Sequence, residues 1–152
     1  MTPEQLIETL LAFKETDLHD KLYVPFLEHL GATNVKNIHG PNEFGRDFVF
    51  NLKDGLIGRK RLGICQVKND KSSNREAQAV LNQLLQALEI EVTNPESNRK
   101  ELPQEAYFFS VFDLPDLPDG NSLLNKVMNR CICLTGKNLA KALLEHIPSI
   151  CA

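Results

Sequence analysis

The stretch Glu43-Phe44-Gly45-Arg46-Asp47-Phe48-Val49-Phe50-Asn51-Leu52, then a polar turn, then Leu62-Gly63-Ile64-Cys65-Gln66-Val67-Lys68, decides how the rest of the chain is read. Two short apolar runs joined by a basic, glycine-containing turn predict a β-hairpin. Antiparallel pairing across that turn sets the start of the first strand beside the end of the second. Gln66 and Lys68 are two residues apart, so strand alternation puts both on one face and Val67 on the other. An acid, an amide and a lysine therefore converge at one end of the hairpin: Asp47, Gln66 and Lys68. Such a set suits a divalent cation and the cleavage of a phosphodiester.

At 152 residues the chain has room for one domain with a real core, and too little for two comfortable ones. Its composition, 42% hydrophobic and 24% charged, is that of an ordinary soluble globular protein. No apolar run approaches the roughly 20 residues of a spanning helix, and no secretory leader pattern is present. The expected setting is cytoplasmic, without a membrane partner. A net charge of −3 and a pI near 5.8 argue against a tight autonomous grip on DNA. A local basic patch is still available from Arg59, Lys60, Arg61, Lys68, Lys71 and Arg75, as phosphate contacts or as a solvated turn. The four cysteines, Cys65, Cys131, Cys133 and Cys151, form neither a disulfide framework nor a zinc pattern. Cys131 and Cys133 fall in an apparent strand, where their thiols share a face as buried apolar groups.

Outward from the hairpin, Thr2-Pro3-Glu4 opens like a helix N-terminus, with Thr2 as cap and Pro3 at the first position. Leu18, Leu22, Phe26, Leu27 and Leu30 predict a second helix over 17–30, stopped by Gly31 and interrupted at Pro25 by a kink or restart. A short strand is expected over 34–39, before the turn Gly40-Pro41-Asn42. A long helix is expected over 73–92, with Gln83 and Gln86 as polar positions on a largely apolar face. After a loop over 93–103 come a buried strand over 106–112, a short helix over 121–130, a strand over 131–134 and a last helix ending near Pro148. The predicted class is α/β, a mixed sheet of about five strands with helices on both faces.

Three segments carry a resemblance to a known family. Leu27-Glu28-His29-Leu30-Gly31-Ala32, then Gly40-Pro41-Asn42-Glu43-Phe44-Gly45-Arg46-Asp47, then Cys65-Gln66-Val67-Lys68 resemble the Mrr-type restriction endonucleases of the PD-(D/E)XK nuclease superfamily. The family pattern is a helix ending at a glycine, an acid-x-Gly-x-Asp turn, and a strand ending in Gln/Glu-x-Lys. The likeness runs over about 17–145, and each motif is short, so order and spacing give it weight. It implies a restriction-endonuclease-like core and one nuclease-like domain over residues 1–152, in the setting of an amino-terminal effector of a larger protein. It also implies a metal-dependent DNA endonuclease of a restriction or antiphage system, using Mg2+ or Mn2+ on double-stranded DNA. The active form would be a dimer or higher assembly, with a fused sensor domain.

The resemblance assigns roles to residues. Asp47 would anchor the metal, and Gln66 would offer an amide oxygen where the superfamily more often has an acid. The backbone carbonyl of Val67 would complete the protein ligands, and Lys68 would orient or help deprotonate the attacking water. Glu43 is a candidate second metal ligand or a turn residue. An acid from the first helical region would come from Asp20, with Glu28 as the other candidate. Gln83 and Gln86 are candidates for contact with the active site or DNA, Arg46 for contact with phosphate, and His39 for a structural role. Three other readings stand beside this one: a catalytically silent nuclease-fold module that binds nucleic acid or a partner, a Holliday-junction-resolvase-like nuclease, and a thiol redox protein using Cys131 and Cys133.

Overall fold

The hairpin forms the middle of the sheet, as its apolar runs require. The structure, a computed structural model, describes residues 1–40, 43–53, 60–69, 74–113, 127 and 129–147, with the backbone only for 74 and 75. In chain order the strands are β1 (Ala32–Asn37), β2 (Phe48–Lys53), β3 (Lys60–Lys68), β4 (Val92–Thr93), β5 (Lys100–Glu101), β6 (Glu105–Ser110) and β7 (Cys131–Thr135). The main sheet has the order β1-β2-β3-β6-β7, and β4 and β5 pair apart from it. β1, β2 and β3 run antiparallel, whereas β3, β6 and β7 run parallel. A five-stranded mixed sheet flanked by helices is the architecture read from the sequence.

The helices are α1 (Pro3–Leu11), α2 (Glu15–Leu18), a π turn (His19–Tyr23), α3 (Val24–His29), α4 (Asn74–Ala87) and α5 (Gly136–His146). Thr2 caps α1 as expected: its hydroxyl accepts from the Gln5 N–H, and the Gln5 side chain accepts in return from the Thr2 N–H. The two faces of the sheet explain why β3 is apolar almost throughout. Phe48, Phe50, Cys65, Val67 and Phe109 meet the layer made by α1, the α2–π–α3 segment and α5. Val49, Leu62, Ile64, Ala106 and Phe108 meet α4 through Val80, Leu81 and Leu84. Gln66 and Lys68 continue the α4 side of β3, the first buried and the second half-buried.

The kink or restart expected at Pro25 takes the form of a π turn running into α3, with Pro25 in the first turn of that helix. The loop expected over 93–103 carries the short β4–β5 ladder. The helix expected to reach residue 92 ends at Ala87. There the buried guanidinium of Arg46 donates to the carbonyls of Ala87 (3.5 Å), Ile90 (2.8 Å) and Glu91 (3.5 Å), capping groups that would otherwise lack partners. Most of the helix expected over 121–130 lies outside the described residues, although Val127, Asn129 and Arg130 are helical.

Gly63 faces Phe50 across the hairpin, and the Phe50 ring occupies the space that a β-carbon at 63 would need. Gly63→Ala should therefore lower unfolding stability by ~1–3 kcal/mol through overpacking. Denaturant melts of the two proteins side by side read this difference directly.

Candidate active site

β2 parts from β3 at Asp47, and the local backbone explains why. Phe44 and Gly45 both have positive φ (55° and 79°), turning the chain away from the sheet just before the aspartate. The Asp47 N–H still donates to the Cys65 carbonyl at 2.8 Å. The next group along β3 on that side, the Val67 N–H, no longer has a strand backbone beside it. The Asp47 carboxylate takes its place, Oδ2 accepting from Val67 at 2.7 Å. The Val67 carbonyl falls on the same side, because successive residues of β3 address β2 and β6 in turn: the Lys68 carbonyl accepts from Val111 beyond β6.

The other oxygen of Asp47 lies 2.5 Å from His39 Nδ1. His39, read from sequence as structural only, thus touches the central carboxylate from an exposed position. Asp47 itself is 3% exposed, and burial raises its pKa above the usual aspartate value, against the lowering effects of the Val67 and His39 hydrogen bonds. A buried carboxylate with disfavoured charge stabilises a cation placed against it.

Gln66 is 4% exposed. Its Nε2 donates to Gln83 Oε1 on α4 at 3.1 Å, while its own Oε1 is buried without a hydrogen-bond partner among the described residues. Such an oxygen is a donor atom in search of a cation or proton. Gly45 makes room for this amide pair, since a β-carbon there would collide with both Gln83 and Gln66. Lys68 lines an open groove of about 490 Å³ together with Glu76, Asn82, Gln83 and Gln86. The groove runs along α4 beside the end of β3.

The structure also brings in two residues that the sequence reading passed over. Glu15, His19 and Asp47 place one ligand atom each within 4.8 Å of one another. Glu15 and His19 mutually shift: their pairing raises His19 and lowers Glu15, with burial opposing in each case, and Lys68 adds to the lowering of Glu15. The charge of Lys68 is therefore felt at this cluster. The spacing Glu15-x-x-x-His19, one helical turn, was the available sequence signal.

Other expected residues lie elsewhere. The helical acid that approaches Asp47 is Glu15, while Asp20 and Glu28 are exposed. Glu43 is turned to Arg46, with Oε2 3.3 Å from Nη2, and it lines a separate cavity of about 360 Å³. Arg46 is 4% exposed and spent on carbonyls and Glu43, so it is a clamp for the turn rather than a phosphate contact. Lys60 and Arg61 are ion-paired to Glu96 and Glu105. They sit at the far end of β3, on the order of 25 Å along the strand from Lys68. Arg59 and Lys71, and the side chain of Arg75, lie outside the described residues. Cys131 and Cys133 do face one side of β7, with burial pushing their thiols up to about 11 and about 12, far from thiolate chemistry.

No family model matches the chain, and no curated protein matches it in sequence. Among solved structures, the DNA modification-dependent restriction endonuclease AspBHI matches over 98% of this chain with a TM-score of 0.59. The fold is restriction-endonuclease-like. Sequence identity is 12%, so the likeness is one of fold, and this chain spans only 37% of that protein. Among the described residues, no helix is long and apolar enough to cross a membrane.

On this fold, ionised Asp47 costs stability that its neutral isostere does not. Asp47→Asn should leave the thermal midpoint unchanged or raise it at neutral pH, measured with EDTA present. The gap should close as pH falls below the ordinary aspartate value, where the wild-type side chain is protonated in both states. Thermal melts of both proteins across that range test the sign.

Proposed function

We propose that this domain is a divalent-metal-dependent endonuclease of double-stranded DNA. What supports the reading most is one juxtaposition. The buried carboxylate of Asp47, the buried amide oxygen of Gln66, unpartnered among the described residues, and the half-buried Lys68 all belong to the end of the hairpin where β2 parts from β3. The neighbouring groove along α4 is open to a polymer.

The donor set fits Mg2+ or Mn2+: a carboxylate, an amide oxygen and the Val67 carbonyl are hard oxygens, few enough to leave room for water and phosphate. Such an ion, when bound, polarises the scissile phosphate and acidifies a water. The rest is work for the chain's own groups. Asp47 is held by Val67 and His39 in one orientation, so its free lone pairs are already aimed. Gln83 accepts from the Gln66 Nε2 and so fixes the orientation of that amide. Lys68 places a positive charge against a phosphate and can orient the attacking water. Asn82, Gln83 and Gln86 line the groove as neutral donors to a sugar–phosphate backbone.

We further read the domain as one nuclease module, the effector part of a restriction or antiphage system. The solved neighbour bears a restriction endonuclease's name, and this chain matches about a third of its length. An acidic chain with Lys60 and Arg61 already paired grips DNA weakly alone, so a second copy or another domain would supply affinity. Cutting both strands also calls for two centres facing opposite strands.

Plasmid cleavage with Mg2+ or Mn2+ tests the proposal. Wild type should nick supercoiled DNA, and forced dimers should linearise it. Asp47→Asn and Lys68→Ala should each lose ~10²-fold or more in rate. Cleavage that survives both substitutions would sink the assignment. An inert wild type, even as a forced dimer, would favour a silent module that binds nucleic acid or a partner.

A further inference from the structure

The cluster of Glu15, His19 and Asp47 has a chemistry that the Asp47–Gln66 set lacks, because it contains nitrogen. One ligand atom from each residue lies within 4.8 Å of the other two. His19 is 1% exposed, and its Nε2 is buried without a hydrogen-bond partner among the described residues, 3.9 Å from Glu15 Oε1. A buried polar atom left unpaired is costly. Packing alone would be served by an apolar ring here, since the imidazole rests edge-on against Phe48.

We propose that Glu15 and His19 join Asp47 as ligands of the divalent cation, forming a mixed nitrogen–oxygen site that selects Mn2+-like transition ions over Mg2+. The inference rests on the metal-dependent reading of the same centre, and adds its further ligands and the class of metal. Mg2+ prefers hard oxygens and parts reluctantly with water, whereas imidazole nitrogen suits first-row transition ions. Two carboxylates and one neutral imidazole give the site a charge of −2, enough to hold a dication beside Lys68.

The local structure holds these groups together. Glu15 starts α2 and His19 starts the π turn, so one helical turn separates them on a single face. Coordination through Nε2 requires the ring proton on Nδ1. The neighbour of Nδ1 is the Asn37 side-chain amide, at 3.4 Å through its nitrogen. A half-turn of that amide presents its oxygen as the acceptor and releases the exposed His39 N–H it now accepts from to water. Asn37 thereby acts as the positioning residue behind His19. His39 occupies one lone pair of Asp47 Oδ1 and leaves the carboxylate others.

Metal binding to the full chain tests this without reference to cleavage. Calorimetric titrations with Mn2+ and with Mg2+, and pulsed electron paramagnetic resonance of bound Mn2+, are run on wild type, Glu15→Gln, His19→Gln and Asp47→Asn. Wild type should bind Mn2+ about tenfold or more tighter than Mg2+ and show nitrogen coupling to the ion. His19→Gln should lose the coupling and the preference together. Glu15→Gln, at a half-buried helix start where refolding is not at stake, should weaken both ions.

Mn2+ bound without nitrogen coupling, and unaffected by Glu15→Gln but abolished by Asp47→Asn, would overturn the inference and leave the nuclease centre standing. Equal affinity for the two ions in wild type would overturn it as well. Nitrogen-coupled Mn2+ in wild type, with DNA cleavage that persists in Asp47→Asn, would uphold the metal site and remove the nuclease reading instead.

Discussion

The hydrogen bond from the Val67 N–H to Asp47 Oδ2 is the constraint on which the rest of the site depends. A strand that leaves a sheet exposes the amides of its former neighbour, and a buried amide without a partner is costly. Here the departing strand leaves its last side chain behind to fill the place of its backbone. The carboxylate is thereby fixed in the plane of the sheet's end, next to the residues that β3 projects alternately to either side. It is also taken out of water, and burial raises its pKa. The same bond that completes the sheet creates a carboxylate whose charge is best stabilised by a cation.

Everything around that bond works to keep it in place. β3 lies between two strands and between two helical layers, so neither face nor edge of it can relax. The turn that carries Asp47 is held from behind by Arg46, which spans Glu43 and the carbonyls that end α4. α4 in turn carries Gln83 to the Gln66 amide. A shift of the turn would disturb the helix end, the amide pair and the carboxylate together. Sites held on such rigid elements keep their geometry better than sites on loops.

How much of this was legible in the sequence follows from the range over which each signal acts. Alternation along β3 is local, so the shared face of Gln66 and Lys68 could be read directly, and antiparallel pairing added Asp47. The apolar continuity of β3 and of the strand at Phe108 and Phe109 gave a sheet covered on both sides. Glu15 and His19 were missed because their one-turn spacing, common on helices, does not say which helical acid meets a strand end 28 residues or more away in sequence. The π turn rotates the face of that helix at His19 and so breaks the register that pointed to Asp20. The end of α4 was missed for a related reason. Leu88 continues the apolar stripe, but the carbonyls past Ala87 are claimed by Arg46, which lies about 41 residues earlier. Arg46 is no more than a candidate phosphate contact in sequence because its partners, the carbonyls at the end of α4, come from an element that only the fold brings beside it.

The charge pattern adds a last step. Lys60 and Arg61 look like a DNA-binding turn in sequence, but Glu96 and Glu105 neutralise them at the far end of the hairpin. At the end of β3, the groove offers Lys68 and a row of amides, with Glu76 on its wall. Amides donate to phosphate without the long-range attraction of arginine, so under the proposed reading they would position a strand rather than attract it. Gln66 follows the same logic: its neutral oxygen adds hydrogen-bonding capacity without charge, and the second negative charge near Asp47 comes from Glu15 on the helical layer. Charge and hydrogen-bonding capacity are thus supplied from opposite faces of the sheet, the acid from the α2 side and the amides from the α4 side.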